Sequence, residues 1–410
     1  MKQSKRTPFA LLALWLLVGV SLFTVDPKAE TSVQISVDSD FFKLPLFSLP
    51  SQGFGFFTMA LMAAIVVASF LFVLVRNQKT PRILPIVFGV AMVLQLLVQL
   101  FAGKNMTFTS LLQGALALSV PLIFGSLAGV LSERVGIVNI AIDSQLLIGA
   151  FASAFAASLS DNLFVGLIAA LIAGALVSLV LAVFSIKYVV DQIIVGVVLN
   201  VLVVGLTNFL FSTVLTENRS LFNSPPRFEK IEIPVLAHIP VIGPVLFNQT
   251  LIVYLMYFVV FAVWVALFKT RWGLRVRAVG EYPKAADTVG IKVYRTRYVS
   301  VTIGGALAGL GGAFFTLGQV GAFGKEMTNG AGYIALAALI FGRWNPLYAA
   351  LAALLFGFAQ NLQYGLAIIG SPVPSEFLLM LPYVLTVVAV AGLVGKVTGP
   401  AATGKPYIKS

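Results

Sequence analysis

The chain has 410 residues, 59% of them hydrophobic and only 10% charged, with a mean hydropathy of +0.99 and a formal charge of +12. Soluble domains carry roughly 25% charged residues, so the composition excludes a water-soluble globular protein and indicates a polytopic membrane protein. With no cysteine and a single histidine, His238, a disulfide framework, cysteine-ligated zinc, a thiol nucleophile and a histidine metal cluster are all excluded.

Taken in order, Met1 to Arg6 is basic and is followed by an apolar run from Pro8 to Val25. The following TVDPKAE offers no small-residue cleavage site, so this run is expected to be a retained first span. Asp26 to Gln52 reads as a mixed polar loop. Further spans are predicted over Gly53–Val75, Ile83–Phe101, Phe108–Leu131, Gly136–Leu159, Leu163–Phe184 and Gln192–Val214. After a second long loop come Leu251–Phe268, Tyr298–Leu317, Ala331–Phe341, Leu347–Leu366 and Phe377–Val394. The fold class is therefore an all-α membrane protein, a helical bundle of about 10–12 transmembrane segments. Ala331–Phe341 is too short for a full crossing and reads as half of a broken or re-entrant helix.

The cations orient these spans. Of the 27 Lys and Arg, seven (Lys28, Lys43, Lys104, Arg219, Arg227, Lys230 and Lys325) fall on one side when the amino terminus is placed inside, leaving twenty on the other. This bias puts both termini in the cytoplasm and explains the positive charge without nucleic acid as a partner. The loop Thr216–Thr250 then lies outside. Its five prolines, Pro225, Pro226, Pro234, Pro240 and Pro244, make it extended and stiff, either a plain connector or a surface for an exterior protein. His238 sits there as a solvated polar residue.

The longest charged run between apolar segments is Lys269–Arg297, KTRWGLRVRAVGEYPKAADTVGIKVYRTR, which holds eight of the 27 cations. Within it, Glu281 just before Pro283 signals a helix start, and Gly290 a stop. Lys284 to Val289 would make about two turns, with Ala285, Ala286 and Val289 on one face. Such a helix suits either the groove of a partner protein or a bed of anionic headgroups of the membrane lipid.

Gly273 to Gly318, GLRVRAVGEYPKAADTVGIKVYRTRYVSVTIGGALAGLGGAFFTLG, resembles the signature region of ABC importer permeases, in particular the simple sugar and nucleoside branch related to the branched-chain amino acid permeases. The AAxxxG core (Ala285, Ala286, Gly290) partly matches the coupling motif of importer permeases, with Ser300 where an apolar residue would follow. Gly330–Gly357, GAGYIALAALIFGRWNPLYAALAALLFG, resembles the same branch. So does PLIFGSLAGVLSERVGIVNIAIDSQLLIGAF, with Ala141, Asp143 and Ser144 where the branch more often has glycines and a glutamate. The resemblance covers roughly residues 110 to 394.

It implies a type II ABC importer permease with three parts. These are N-terminal spans 1–107 with an exterior loop, a permease core 108–394 carrying the coupling loop 269–297, and a cytoplasmic tail 395–410. The implied partners are a cytoplasmic ATP-binding subunit, a second permease (identical or a paralogue) and an exterior substrate-binding lipoprotein. The implied substrates are nucleosides, or simple sugars such as ribose, moved across the cytoplasmic membrane by alternating access. Glu281, Pro283, Ala285, Ala286 and Gly290 would form the helix that couples to the ATPase.

Polar residues inside apolar spans are costly, so they face the bundle or a cavity. Asn139, Asp143 and Gln145 fall early in one span, Gln192, Asn200 and Asn208 lie eight apart along another, and Gln360, Asn361 and Gln363 cluster in a third. One reading is a polar track for a neutral substrate, with Asn139, Asp143, Asn200 and Asn361 as its candidates; the other is hydrogen-bonding glue between helices. Asp143 and Arg134 have a third option, pairing with neighbouring groups. In Gly304–Gly312, Gly305-x-x-x-Gly309 and Gly304-x-x-x-Ala308-x-x-x-Gly312 are spaced for close helix packing. G-x-x-x-x-G-K-[ST] occurs nowhere, so no cofactor is expected on this chain and any driving ATP binds a partner. An ion- or proton-coupled transporter is the rival, with Asp143 as its essential carboxylate; an enzyme is disfavoured for want of a catalytic cluster.

Overall fold

The computed structural model describes residues 6–23, 26–37, 40–81, 83–369, 380 and 399–409. The predicted span Phe377–Val394 lies outside the described residues, as do Lys2, Lys5, Arg82 and Lys396. Among the described residues, nine helices are long and apolar enough to cross a membrane, and Thr7–Val20 and Ala331–Phe341 are shorter apolar helices. The chain divides into two compact units.

The first unit comprises Met1–Leu112, Pro234–Leu246 and Gln363–Leu378. It contains α1 (Arg6–Ser21), β1 (Glu30–Gln34), β2 (Phe47–Pro50), α2 (Ser51–Phe70), α3 (Ile83–Leu100) and β3 (Asn105–Thr107). A cluster of Leu11, Val18, Met62, Ile65, Val66 and Phe88 packs α1, α2 and α3 together. The predicted plain loop 26–52 instead supplies two strands of a three-stranded sheet, order β2-β1-β3, antiparallel on one side of β1 and parallel on the other. Its signal is period two: Thr31 and Val33 are buried while Glu30 and Gln34 are exposed. The Thr31 hydroxyl anchors the sheet, donating to the Val98 carbonyl at 2.7 Å and sharing a hydrogen bond with the Ser51 hydroxyl at 2.8 Å.

The second unit comprises Gln113–Ile233, Phe247–Leu362 and Leu379–Ser410. Its elements begin with α4 (Phe108–Glu133), which starts just before the unit boundary, and continue with α5 (Ile142–Ser160), α6 (Leu163–Ala182), α7 (Gln192–Leu210) and the short α8 (Arg219–Phe222). An antiparallel pair, β4 (Lys230–Glu232) with β5 (Asn248–Thr250), precedes α9 (Leu251–Lys269). There follow α10 (Arg271–Glu281), α11 (Pro283–Thr288), α12 (Val293–Ala313), α13 (Ala331–Phe341) and α14 (Pro346–Ile369). Side-chain caps start several helices where the sequence places Asn, Asp or Thr: Asn162 before α6, Asp191 before α7 and Thr270 before α10.

Two predicted boundaries move. The span expected from Gly136 becomes helical only at Ile142, leaving residues 134–141 as non-helical chain. The basic run at the head of the charged loop is a helix in its own right, α10, with Gly273, Val276, Val279 and Gly280 buried at helical spacing. Four cations scattered through Lys269–Arg277 masked that stripe in the sequence.

The core of this unit is α12 laid against α5 and α6 at backbone contact. A Cβ on Gly309 would lie 2.1 Å from the Ala170 carbonyl of α6, one on Gly312 would lie 2.0 Å from the Leu146 carbonyl of α5, and one on Gly305 would meet the Ser178 hydroxyl at 2.2 Å. Such obstacles are largely backbone, which cannot swing aside. Where apolar side chains gain nothing by leaving lipid, close van der Waals approach is what holds helices together. Gly309→Val is therefore expected to cost more than the ~1–3 kcal/mol of ordinary overpacking. The loss should be seen as reduced detergent-extracted folded protein and a lower Tm. Gly205→Val, on α7 with no atom within 4 Å of its would-be Cβ, is the control and should leave both unchanged.

Candidate functional site

Residues 134–141 form no helix between two apolar helices, and most are buried; Ile137, Asn139 and Ala141 are wholly so. Backbone of this kind is tolerated inside a membrane protein only where other groups satisfy it. The polar side chains singled out in the sequence do this. Gln192 Oε1 accepts from the Val138 N–H at 2.7 Å, and Asn200 Nδ2 donates to the Ile140 carbonyl at 3.0 Å. Asn200 Oδ1 also accepts from the Ser144 N–H at 3.0 Å. Asn139 and Gln145 form a reciprocal amide pair at 3.1 and 3.2 Å, and Asn139 Nδ2 also reaches the Ser132 hydroxyl at 3.4 Å. Asn208, the third rung on α7, donates to Glu326 at 3.0 Å. The spacing of eight along α7 is thus a ladder of ties to other segments.

Asp143 opens α5 and meets the start of α13. Its Oδ1 accepts from the Gly332 N–H at 2.9 Å and its Oδ2 from the Thr328 hydroxyl at 3.3 Å. The carboxylate lies in the first turn of one helix and at the N-terminus of another, where the exposed N–H groups favour negative charge. Gly332 is needed for this approach, since a Cβ there would fall 2.3 Å from the Asp143 backbone nitrogen. α13 has 11 residues, a rise of only about 17 Å, so it ends well short of a crossing. Arg134 is not the partner of Asp143; it donates from Nε to the Trp344 carbonyl at 2.9 Å.

Tyr333, on α13, is a site residue that the sequence reading did not single out. Its hydroxyl accepts from Asn200 Nδ2 at 3.0 Å while the residue remains 49% exposed. The available signal was a phenol in the first turn of an otherwise apolar half-helix. Asn361, on α14, is half-buried and faces Gly114 of α4; a Cβ there would lie 2.3 Å from its Oδ1. An opening of about 470 Å³ elsewhere in the unit is lined by Phe211, Thr216, Arg219, Asn223, Phe323 and Met327 among others.

The charged loop forms a separate site. Pro283 begins α11, and Gly290 ends it with φ +84°, a left-handed turn. Tyr282, Ala285 and Val289 are exposed, Tyr282 and Val289 at 63% and 76%. Ala286, expected on the same outward face, is 4% exposed and packs inward: α11 lies against α10 and α12, so the adjacent alanines divide between the two sides. Beside it a groove of about 520 Å³ is bordered by Trp272, Arg275, Val289, Lys292 and Arg295. Arg134 and Arg277 both stack on Phe268, and burial, followed by the charge of Arg277, lowers the pKa of Arg134 from its ordinary value. Trp344, in a left-handed conformation next to left-handed Arg343, donates its indole N–H to Glu133 at 2.5 Å.

Residues 111–390 match the model of the family described as the permease component of branched-chain amino acid transport systems. The guanosine ABC transporter permease protein NupQ of Bacillus subtilis is 41% identical over 72% of this chain and 95% of its own length. The nucleoside ABC transporter permease protein NupC of Lactococcus lactis is 39% identical over 74% of this chain and 98% of its own. A second Bacillus subtilis protein, the guanosine ABC transporter permease protein NupP, is 28% identical over 54% of this chain and 64% of its own. No solved structure matches.

The contacts of Asp143 decide how its variants behave. Asp143→Asn keeps an acceptor for the Gly332 N–H and a polar group for Thr328, so fold and transport should both survive. Asp143→Ala leaves that buried N–H unpaired at a cost of about 1–3 kcal/mol, to be read as a lower Tm of the purified protein.

Proposed function

The chain belongs to the family of permease components of branched-chain amino acid transport systems, and from that premise we propose that it is the membrane subunit of an ATP-driven importer of nucleosides. The observation that carries the substrate class is the 41% identity to a guanosine permease across 95% of that protein's length. The chain is a transporter permease subunit with a multi-pass helical architecture.

In this reading ATP is bound and hydrolysed by a cytoplasmic subunit docked on α11, through Tyr282, Ala285 and Val289. Glu281, Pro283 and Gly290 fix the ends of that helix and Ala286 seats it. A second permease completes the pathway; the existence of two distinct guanosine permease proteins in Bacillus subtilis supports a paralogue in that place. An exterior binding lipoprotein delivers substrate to the side bearing residues 216–250. The assembly sits in the cytoplasmic membrane with both termini inside, supported by the charge bias. Closure of the ATPase would move α11 and with it the attached spans, opening the path alternately to each side. The neutral substrate would pass the exposed phenol of Tyr333, held by Asn200, and the half-buried amide of Asn361. Asn139 and Asp143 would act at one remove, by holding the broken segments on which those groups stand. The chain itself would need no metal or organic cofactor.

Uptake of radiolabelled guanosine by cells lacking and then regaining this chain tests the class. Uptake is expected to fall on deletion, to be competed by other nucleosides but not by ribose, and to be lost with Ala285→Arg on the docking helix. Uptake abolished by a proton uncoupler while ATP is maintained, or by Asp143→Asn with Ala285→Arg harmless, would mean an ion-coupled carrier instead. The absence of cysteine makes the orientation directly measurable. Ala285→Cys should react with an impermeant maleimide only in inside-out vesicles, and Ser224→Cys only in right-side-out ones.

A further inference from the structure

Residues 399–409 pack along the base of the second unit and touch four elements in eleven residues. Gly399 lies against Trp344, its would-be Cβ 2.9 Å from the indole ring. The Ala402 N–H donates to the Gly280 carbonyl at 2.9 Å, and the Ala401 N–H to Glu281 Oε2 at 3.3 Å, both at the last turn of α10, immediately before α11. Two residues on, the Gly404 N–H donates to the Gly136 carbonyl at 3.2 Å, on the non-helical segment after α4. The approach is so close that a Cβ on Gly136, where φ is +84°, would fall 2.9 Å from the Ala402 carbonyl oxygen.

Tyr407 then closes the path. It is 5% exposed, its ring lies 5.4 Å from that of Tyr294, and the Arg297 guanidinium sits 5.9 Å above it. Its phenol faces the Asp287 carboxylate, on α11 itself. The Tyr294 hydroxyl accepts from the Lys409 N–H at 3.2 Å. Arg297 is a cation only 1% exposed on α12; its Nε donates to the Val135 carbonyl at 3.1 Å, and its Nη2 has no hydrogen-bond partner among the described residues. A buried guanidinium is costly to desolvate, and the aromatic face of Tyr407 is part of what offsets that cost.

From these contacts we infer that residues 399–409 form a transmission strap, joining the docking helix α11 to the non-helical segment after α4 and to the first turns of α12. The docking helix and the non-helical segment lie about 150 residues apart in sequence; α12 also reaches that segment directly, through Arg297 to the Val135 carbonyl, and the strap adds a second link from the end of α10 beside α11. With the strap in place, a displacement of α11 is carried through Asp287 and Gly280 to Gly136. Gly136 leads directly into Val138 and Ile140, the backbone groups held by Gln192 and Asn200 on α7. Hydrogen bonds from the tail to Gly280 and Gly136, the short backbone stretch from Gly136 to Ile140, and the bonds of Gln192 and Asn200 thus lie in series between the end of α10 and Tyr333. The inference rests on the reading of α11 as the ATPase contact, and Tyr407 is in these terms a positioning residue.

The test uses the full complex in liposomes, with two variants of this chain: deletion from Gly399 onward, and Tyr407→Ala. Guanosine moved per ATP hydrolysed is expected to fall about fivefold or more, the range of a coupling energy of one to three kcal/mol. The ATPase subunit should still co-purify and still hydrolyse ATP. Spin labels at Lys284→Cys and Val138→Cys report the same link without any substrate. Their separation should change on ATP binding in the otherwise intact chain and stay fixed in the variants. Failure of guanosine transport with the ATP-dependent change intact would overturn the substrate assignment alone and leave the strap standing. An unchanged transport-to-hydrolysis ratio, or an ATP-dependent distance change that persists without the strap, overturns the inference. Loss of complex assembly in both variants also overturns it, since the tail would then be a folding element.

Discussion

The constraint on which most of this molecule depends is that a polypeptide backbone surrounded by apolar side chains must have its N–H and C=O groups satisfied. Helices meet it automatically. Residues 134–141 do not, and the structure answers with side-chain amides from α7, Gln192 to the Val138 N–H and Asn200 to the Ile140 carbonyl. The same rule governs the second break, at the start of α13, where Asp143 and Asn200 meet Gly332, Thr328 and Tyr333. Two broken ends, α5 and α13, therefore come together around one carboxyl group, which accepts from the Gly332 N–H and the Thr328 hydroxyl.

This arrangement changes what an intramembrane polar residue means. Asn139 and Asp143 have the composition of a substrate track, yet their polar atoms are engaged with the protein itself, in positions that keep two irregular segments open. Under the proposed function Tyr333 takes the outward role, since one side of its hydroxyl is held by Asn200 while the residue stays exposed. A transporter gains from this division. The groups that shape the opening are rigidly held, and the proposed substrate contact is held on one side only.

Rigidity on the other axis comes from glycine. Gly305, Gly309 and Gly312 bring α12 against α5 and α6 so closely that backbone touches backbone. The three helices then behave as one body, and α12 carries that body directly to the charged loop. Arg297 and Tyr294 in its first turns, the docking helix α11, and the tail residues around Tyr407 meet at its cytoplasmic end in the proposed orientation. A force applied to α11 thus enters a stiff block, which is the mechanical requirement for driving a pathway from outside the membrane.

Much of this was legible in the sequence because it depends on local or one-dimensional quantities. Hydropathy and length located the helices, including the half-helix 331–341, since a span is set by the thickness of lipid. Pro283 and Gly290 marked the ends of α11, because their backbone preferences act within one residue. The glycine spacing gave a helix face, and residues 273–318 and 330–357 gave the family. Period-two burial in β1 and the buried stripe of α10 were present but outweighed by polar and basic neighbours. Only the tertiary structure decided which partner each polar group found. That Asn200 serves both Ile140 and Tyr333, that Ala286 turns inward while Ala285 turns out, and that the tail reaches Gly136 and Gly280 are facts of three-dimensional neighbourhood. Hydrogen bonds are satisfied between residues as much as 268 positions apart (Gly136 to Gly404), and no periodicity in the chain records such a pairing.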